Sequence, residues 1–421
     1  MYPLNLKRQI NQIKIHTMTK NEVSTILQIF QIKFGSLLRK KHKGASELLL
    51  LLSLGLTQEW SSVKSVSDHL GVNKDKCYNT LKKIPLRTWR KLFESCFKQE
   101  VYESVKAIQD QSASTISRSN ISIQIDDSVL RKWMGRAYFY KWYSGQYKKV
   151  VGGYDVVLVS IVIQGRVLPL QFWLMGKTGP HKKRPNRAAK LLESLAKELK
   201  TNGIDISKIP VSADSAYLTS DLKDALVGLG FKVALGTKGH YKVHTHKYAE
   251  VYTKDSLAIR EVFQKSDYDE LPSEQWGMED KVVSRKIKSG KWGEALLLES
   301  IQLGKPRRVL FFGINRTCEA WRIWKNHHFV ERIFRHLKHL LSWGKYSLQG
   351  RDGAYATVVI PFLAFWLLSE LQKKCKLSFE RIILALQVWV NEDLDELIEL
   401  LNLEHFHVNL PTFDSIMGSS G

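Results

Sequence analysis

The chain has 421 residues, 44% of them hydrophobic, and carries 64 Lys and Arg against 41 Asp and Glu, a formal net charge of +23. That size suits one large catalytic domain with one or two small ones, and folding does not require the charge imbalance; its effect is a positive field that attracts polyanions, nucleic acid foremost. The basic residues run along the whole chain rather than gathering in one tail or amphipathic helix, which argues against a membrane-surface protein, and the four cysteines (Cys77, Cys96, Cys318, Cys375) form no CxxC pair, which argues against a zinc site or a disulfide framework.

The first twenty residues lack an apolar signal-peptide core. The longest apolar stretches, Leu48–Leu52 and Val358–Leu368, are too short to span a bilayer, so a soluble, cytoplasmic protein is expected. Residues 1–110 read as helical. Within them Val66–Leu81 has helix-turn-helix spacing: Leu70 closes a first helix, Gly71 permits the turn, Asn73 caps a second, and Cys77 and Leu81 face inward. Such a pair serves either to contact DNA or simply to pack in a small bundle.

From residue 120 the pattern changes. Ile121–Ile125 alternates at period two, Val156–Ile163 is nearly continuous apolar, and Val167–Trp173 returns after a Gln164-Gly165 turn, giving an antiparallel meander. A basic loop follows (Lys177–Arg187, with His181-Lys-Lys-Arg184), either tracking a phosphate backbone or merely solvated. Next come a helix over Ala188–Lys200, a buried strand over Ile209–Ala213, a helix over Thr219–Leu229 ended by Gly230, and a strand over Phe231–Leu235. The order β-β-β-α-β-α-β is that of an RNase H-like α/β fold, a mixed sheet flanked by helices in which strands one and four are neighbours. Residues 240–275 read as irregular. Val282–Ile287, Glu294–Ile301 and Arg308–Ile314 read as strands, so 240–314 is expected to be a β-rich insertion. Helices are expected over Val330–Leu341, 355–371 and 378–402, the last in a C-terminal tail from residue 372. The expected division is therefore a helical region over 1–110, a core over 118–239 and 315–371, the insertion, and the tail.

Three carboxylates occupy special places. Asp126 ends strand one in Ile125-Asp126-Asp127-Ser128, and Asp214 ends strand four in Ala213-Asp214-Ser-Ala-Tyr217. If those strands are neighbours, the two acids meet at one sheet edge. Glu331 shares a helix face with Arg335 and Lys338 at i, i+4 and i+7, while Val330, Phe334, Leu337 and Leu341 form an apolar stripe beside it. That stripe can dock on the sheet with Glu331 pointing toward the aspartates. Moving a phosphodiester needs an activated oxygen nucleophile and a stabilised leaving oxygen, and two hard divalent cations held by carboxylates provide both. Taken singly, an Asp after a strand is more often a turn or cap residue. The ordered set in a strongly basic chain is what points to chemistry. His240, His244 and His246 have no carboxylate beside them to make a zinc site. Tyr138-Phe-Tyr140 and Trp142-Tyr143, set among Lys and Arg, either stack on bases or pack on the sheet.

At these residues the sequence resembles the DDE transposases of bacterial insertion sequences, in particular the group with a β-strand insertion between the second Asp and the Glu. The matching pieces are Ile125–Ser128, Leu168–Phe172, Ala213–Tyr217 and Val330–Lys338, and the resemblance spans roughly residues 120–370. The resemblance implies that Asp126, Asp214 and Glu331 ligate two Mg²⁺ or Mn²⁺ ions, with Asp127 as the alternative to Asp126. It implies that Lys338 and Arg335 contact phosphate. The family signature places a Tyr and an Arg where this chain has Trp324 and His327; Trp324 keeps an aromatic there, and His327 carries less charge than Arg at neutral pH. Relatives stack an aromatic of the insertion on a displaced base, a role that falls to Trp292, or else to Trp276. The implied function is cut-and-paste transposition by a homodimer on double-stranded DNA, acting on the element's terminal inverted repeats and on target DNA, with a bacterial, nucleoid-associated location and no membrane partner. An RNase H-fold nuclease without strand transfer and a non-cutting transposase-derived DNA-binding protein are the competing readings.

Overall fold

The computed structural model describes residues 19–38, 44–58, 60, 62–111, 121–131, 140–144, 148–175, 183–248, 251–253, 255–265, 267–271, 281–302, 305–327, 329–343, 348 and 350–392. Its contacts divide the chain into two units. Unit 1 comprises Met1–Cys96, Leu130–Tyr154 and Phe334–Gly421; unit 2 comprises Phe97–Val129 and Asp155–Ile333.

Unit 1 is built from α1 (Lys20–Gly35), α2 (Ala45–Thr57), α3 (Val63–Leu70), α4 (Lys74–Lys82), the first part of α5 (Leu86–Gln111), and two later helices, Gly350–Cys375 and Phe379–Glu392. Helix α1 begins with a capping box: the Thr19 hydroxyl accepts from Glu22 N–H and the Glu22 carboxylate accepts from Thr19 N–H. Helix α2 is apolar on every side and buried on every side from Leu48 to Thr57, as a helix without a polar face must be. The Gly350–Cys375 helix packs against α1 and α2, with Trp366 edge-on to Phe34 at 5.1 Å and Phe362 edge-on to Phe93 at 4.7 Å. This differs from the expected division, which assigned 334–371 to the catalytic core. Segment hydrophobicity reveals that a helix is buried but not against what. The same helix corrects a second expectation. The Val358–Leu368 stretch belongs to a longer helix, and Asp352–Cys375 is long and apolar enough to cross a membrane, yet 94% of its apolar 18-residue window is buried inside the fold.

The helix-turn-helix has the form its sequence suggested. Gly71 takes the left-handed conformation (φ 64°), the Asn73 side chain accepts from Lys76 N–H, and Leu70, Cys77 and Leu81 are buried. Strand β2 (Tyr140–Ser144), absent from the sequence reading, pairs antiparallel with the start of β3 (Lys149–Ile163), Tyr140 opposite Gly153.

Unit 2 is a mixed sheet with helices on it. Strand β1 (Ile121–Arg131) lies between β3 and β5 (Pro210–Ala213); β4 (Arg166–Leu174) pairs with β3, and β6 (Lys232–Gly236) with β5. The β3–β4 hairpin turns on Gln164 (φ 50°) and Gly165 (φ 81°), two successive left-handed residues that match the strand twist. The β1–β5 and β5–β6 pairs are parallel, so each connection needs a crossover. The crossovers are α6 (Arg184–Thr201) and α7 (Ser220–Leu229). Leu191, Leu192, Leu195, Ala196 and Leu199 form the buried stripe of α6; Thr219 caps α7, and Gly230 (φ 101°) ends it. The strand order and crossovers are those of an RNase H-like sheet.

The insertion is not a separate body within this unit. Its strands continue the same sheet: β13 (Lys305–Phe312) pairs antiparallel with β6, Phe311 opposite Ala234, then come β12 (Gly293–Gln302), β11 (Val282–Ser289) and β7 (Lys242–Tyr248). Strand β7 lies in the stretch expected to be irregular. Its Val243 and Thr245 are buried and the intervening His244 is less so, an alternation masked in sequence by the lysines and histidines around it. One further helix went unpredicted, α8 (Thr317–His327). Its Ala320, Trp321, Ile323 and Trp324 join Leu296, Leu298, Val309 and Phe311 of the extended sheet in one hydrophobic cluster. Helix α9 (Phe329–Arg335) follows and passes into a π turn over His336–Leu340; the late helices then number α10 (Gly350–Cys375) and α11 (Phe379–Glu392).

Candidate active site

Strand register brings the first two acids together. In the parallel β1–β5 pair Gln124 lies opposite Ser212 and Ile125 opposite Ala213. The next step along both strands is Asp126 and Asp214, with Asp214 still extended (φ −66°, ψ 167°). Adjacent strands are about 4.8 Å apart, so the two backbones are neighbours here. Asp126 does not end its strand, as expected from sequence; β1 continues to Arg131, while β5 stops at Ala213. Asp126 thus sits one residue past the end of the β1–β5 pairing.

Period-two alternation then separates the two adjacent aspartates of β1. Gln124 and Asp126 share one face with Ser212 and Asp214. Helix α8 covers that face: the Gln124 side-chain amide donates to the Asn326 carbonyl, and the His327 ring lies 3.1 Å from Ser212 Oγ and 3.2 Å from Asp214 Oδ1. Trp324 stacks on the His327 ring at 4.5 Å, with 13° between planes. Glu331 follows in the first turn of α9, exposed. Asp127 points to the opposite face. There it pairs with Arg184 at 3.1 Å and accepts from the Tyr217 hydroxyl at 3.0 Å, and Arg184 Nε also reaches Asp155 at 3.0 Å. The two aspartates have different surroundings: Asp126 shares its face with Asp214, and Asp127 belongs to an ion-pair network.

Charge accumulates around Asp126. Burial, together with the like charges of Asp127, Asp214 and Glu331, pushes its carboxyl up to about 8, against a smaller opposing effect of the 2.7 Å hydrogen bond it accepts from Asp127 N–H. Burial likewise raises Asp127 to about 6, although Arg184 draws it down. Among the described residues, no three acidic, histidine or cysteine side chains lie close enough together to hold an ion as they stand. The site fits a divalent cation by its chemistry. Its donors are carboxylate oxygens, which suit a hard ion, and a half-buried acid near three like charges is relieved by a cation more than by any neutral ligand.

Gly236 makes the Asp214 turn possible. It ends β6, and a Cβ there would lie 2.7 Å from Ser215 N and 3.2 Å from the Asp214 carbonyl carbon. Both are backbone atoms that no rotamer change can move away. Gly236→Ala is expected to destabilise the protein by about 1–3 kcal/mol and to displace Asp214; a thermal unfolding midpoint equal to that of the parent protein would show the turn to be slack.

The remaining predicted residues fall elsewhere. Trp292 is only 3% exposed and meets Tyr241 edge-on at 4.9 Å, so stacking on a base would require its turn to open. Trp276 lies outside the described residues, as do positions 177–182 of the basic loop, His181 among them. Arg335 and Lys338 are exposed and belong to unit 1. Sequence reasoning missed Asp155 and the roles of Tyr217 and of Arg184, which was read as part of a phosphate-tracking or solvated loop and instead pairs with Asp127 and Asp155. The only signal for them was the crowding of ionisable residues near strand ends, which many surface loops share. Compared with protein families and with characterised proteins, the sequence matches none.

Proposed function

We propose that this protein is a metal-dependent DNA transposase of the DDE type, cutting at the ends of an insertion element and joining them to target DNA. One observation carries the reading: Asp126 and Asp214 each come one residue after the last paired position of adjoining parallel strands, on the face that α8 covers, with the like charges of Asp214 and Glu331 acting on Asp126. The net charge of +23 and the helix-turn-helix of unit 1 favour DNA as the substrate over a small phosphate ester.

In this reading Asp126, Asp214 and Glu331 hold Mg²⁺ or Mn²⁺. Bound there, such ions would supply activation of the attacking oxygen and stabilisation of the leaving one. His327 holds the Asp214 carboxylate through Oδ1; Trp324, stacked on the imidazole, restricts that ring's rotation. Arg335 and Lys338 contact backbone phosphate. The exposed residues of α4, among them Lys74, Asn79 and Lys82, face a DNA groove. Handling two element ends together calls for a dimer on DNA.

The test uses the full chain, a labelled duplex carrying the DNA that flanks its own gene, and a supercoiled target plasmid. Cutting and joined products are expected with Mg²⁺ or Mn²⁺ and neither with EDTA. Cutting without joining would replace the reading by a nuclease. Binding without cutting would replace it by a transposase-derived DNA-binding protein.

A further inference from the structure

We propose that Tyr217 is a positioning residue: its hydrogen bond to Asp127, made on the sheet face opposite the candidate active site, sets the spacing between Asp126 and Asp214. The inference rests on the metal-dependent reading above and adds a residue to it.

The geometry is direct. Tyr217 closes the single 3₁₀ turn, Ser215–Tyr217, that begins immediately after Asp214, and its N–H donates to the Asp214 carbonyl at 2.9 Å. The Tyr217 ring is fully buried, and its hydroxyl donates to Asp127 Oδ1 at 3.0 Å. Asp127 is the residue next to Asp126. The two candidate ligands are therefore connected twice, once through the β1–β5 ladder up to Ile125 and Ala213, and once past the ladder's end through Tyr217 and Asp127. The second connection reaches the Asp214 turn past the point where the β1–β5 pairing ends.

The acceptor is itself held. Arg184 Nη1 pairs with Asp127 Oδ2, and Arg184 Nε takes both oxygens of Asp155 at 3.0 and 3.3 Å. Asp127 therefore presents Oδ1 to Tyr217 while Oδ2 is engaged elsewhere, so the carboxylate cannot rotate away. Arg184 opens α6 and Asp155 lies in β3, so the anchor draws on elements that carry none of the three candidate ligands. An ion that bridges two carboxylates is sensitive to their separation, and a displacement of about 1 Å is enough to lose much of its affinity or activity.

The experiment is Mn²⁺ binding to the full chain, read by electron paramagnetic resonance of the free ion. The proteins compared are the parent, Asp214→Ala, Tyr217→Phe and Tyr102→Phe. Tyr102 also loses one hydrogen bond in the same unit, to Glu198 at 2.8 Å, but far from β1. Tyr217→Phe is expected to raise the Mn²⁺ Kd about tenfold, and Tyr102→Phe to leave it unchanged; a purely structural role would lower the unfolding midpoint of both without this difference. Should Tyr217→Phe fail to fold, Asp127→Ala removes the same bond from its other end and carries the same tenfold expectation. A parent-like Kd in whichever of the two folds overturns the positioning role while Asp214→Ala still abolishes binding. If the parent and Asp214→Ala bind Mn²⁺ equally, the metal-site reading itself falls and the positioning role falls with it.

Discussion

Asp126→Asn should make the metal-free protein more stable at pH 8 and at the same time abolish cutting. The two effects have one origin. The Asp126 carboxyl is raised from its ordinary 3.8 to about 8, first by burial and then by the neighbouring carboxylates. A group with a raised folded-state value binds its proton more tightly folded than unfolded. Below about pH 4 it is protonated in both states and costs nothing. As pH rises toward 8 the unfolded chain gives up the proton and the folded one resists, so stability falls by up to about 1.4 kcal/mol per pH unit across that window. Asparagine has nearly the same shape and no charge, so it escapes the penalty. The expected result is an unfolding midpoint about 5 °C or more above the parent at pH 8, with the gap closing toward pH 4. Cleavage, in contrast, needs an anionic oxygen to hold a cation, and should fall by at least about a hundredfold. A variant that is both destabilised and active would show Asp126 to be an ordinary strand residue.

Arg184→Met should have the largest effect on stability. Arg184 is the shared partner of Asp127 and Asp155, whose side chains are 16% and 7% exposed. Removing it leaves two buried carboxylates without their counter-charge, a change that typically costs about 3–5 kcal/mol. The pH dependence identifies the cause. Burial already raises both acids and Arg184 is the main influence holding them down, so the variant's carboxyls should rise further. Their folded values then lie well above the unfolded one, and stability is lost as pH climbs through that interval. Chemical denaturation should therefore show a large deficit at pH 8 and a smaller one at pH 5, where the acids accept protons. A deficit independent of pH would point to lost packing of the arginine stem on the sheet rather than to lost charge.

In sequence Asp126 and Asp127 both follow an apolar strand, and Asp127 stood as the alternative to Asp126. Alternation gives opposite faces, but which face holds the chemistry depends on where α8 packs. Helix α8 went unread although Ala320, Trp321, Ile323 and Trp324 have helical spacing; the apolar stripe is short and follows the loop-like Gly313–Arg316 stretch.

What the sequence determined by itself is local. Period-two and period-3.6 patterns located β1, β3 to β6, α6 and α7, because burying one face of a strand or helix leaves a periodic trace in the residues that form it. Turn chemistry at Gln164-Gly165, Gly71 and Gly230 marked where those elements end, since left-handed backbone selects glycine. The order of elements then implied strands one and four as neighbours, and with them the pairing of Asp126 with Asp214. What the tertiary structure alone decided is long-range. It joined β13 to β6, so that the insertion extends the sheet. It buried α10 against the N-terminal helices. It set His327 on Asp214, and Arg184 between Asp127 and Asp155. Each of these contacts joins residues far apart in the chain through a single ion pair, ring or register step. Such a contact needs one suitable side chain at each end, and one side chain has no period to be read.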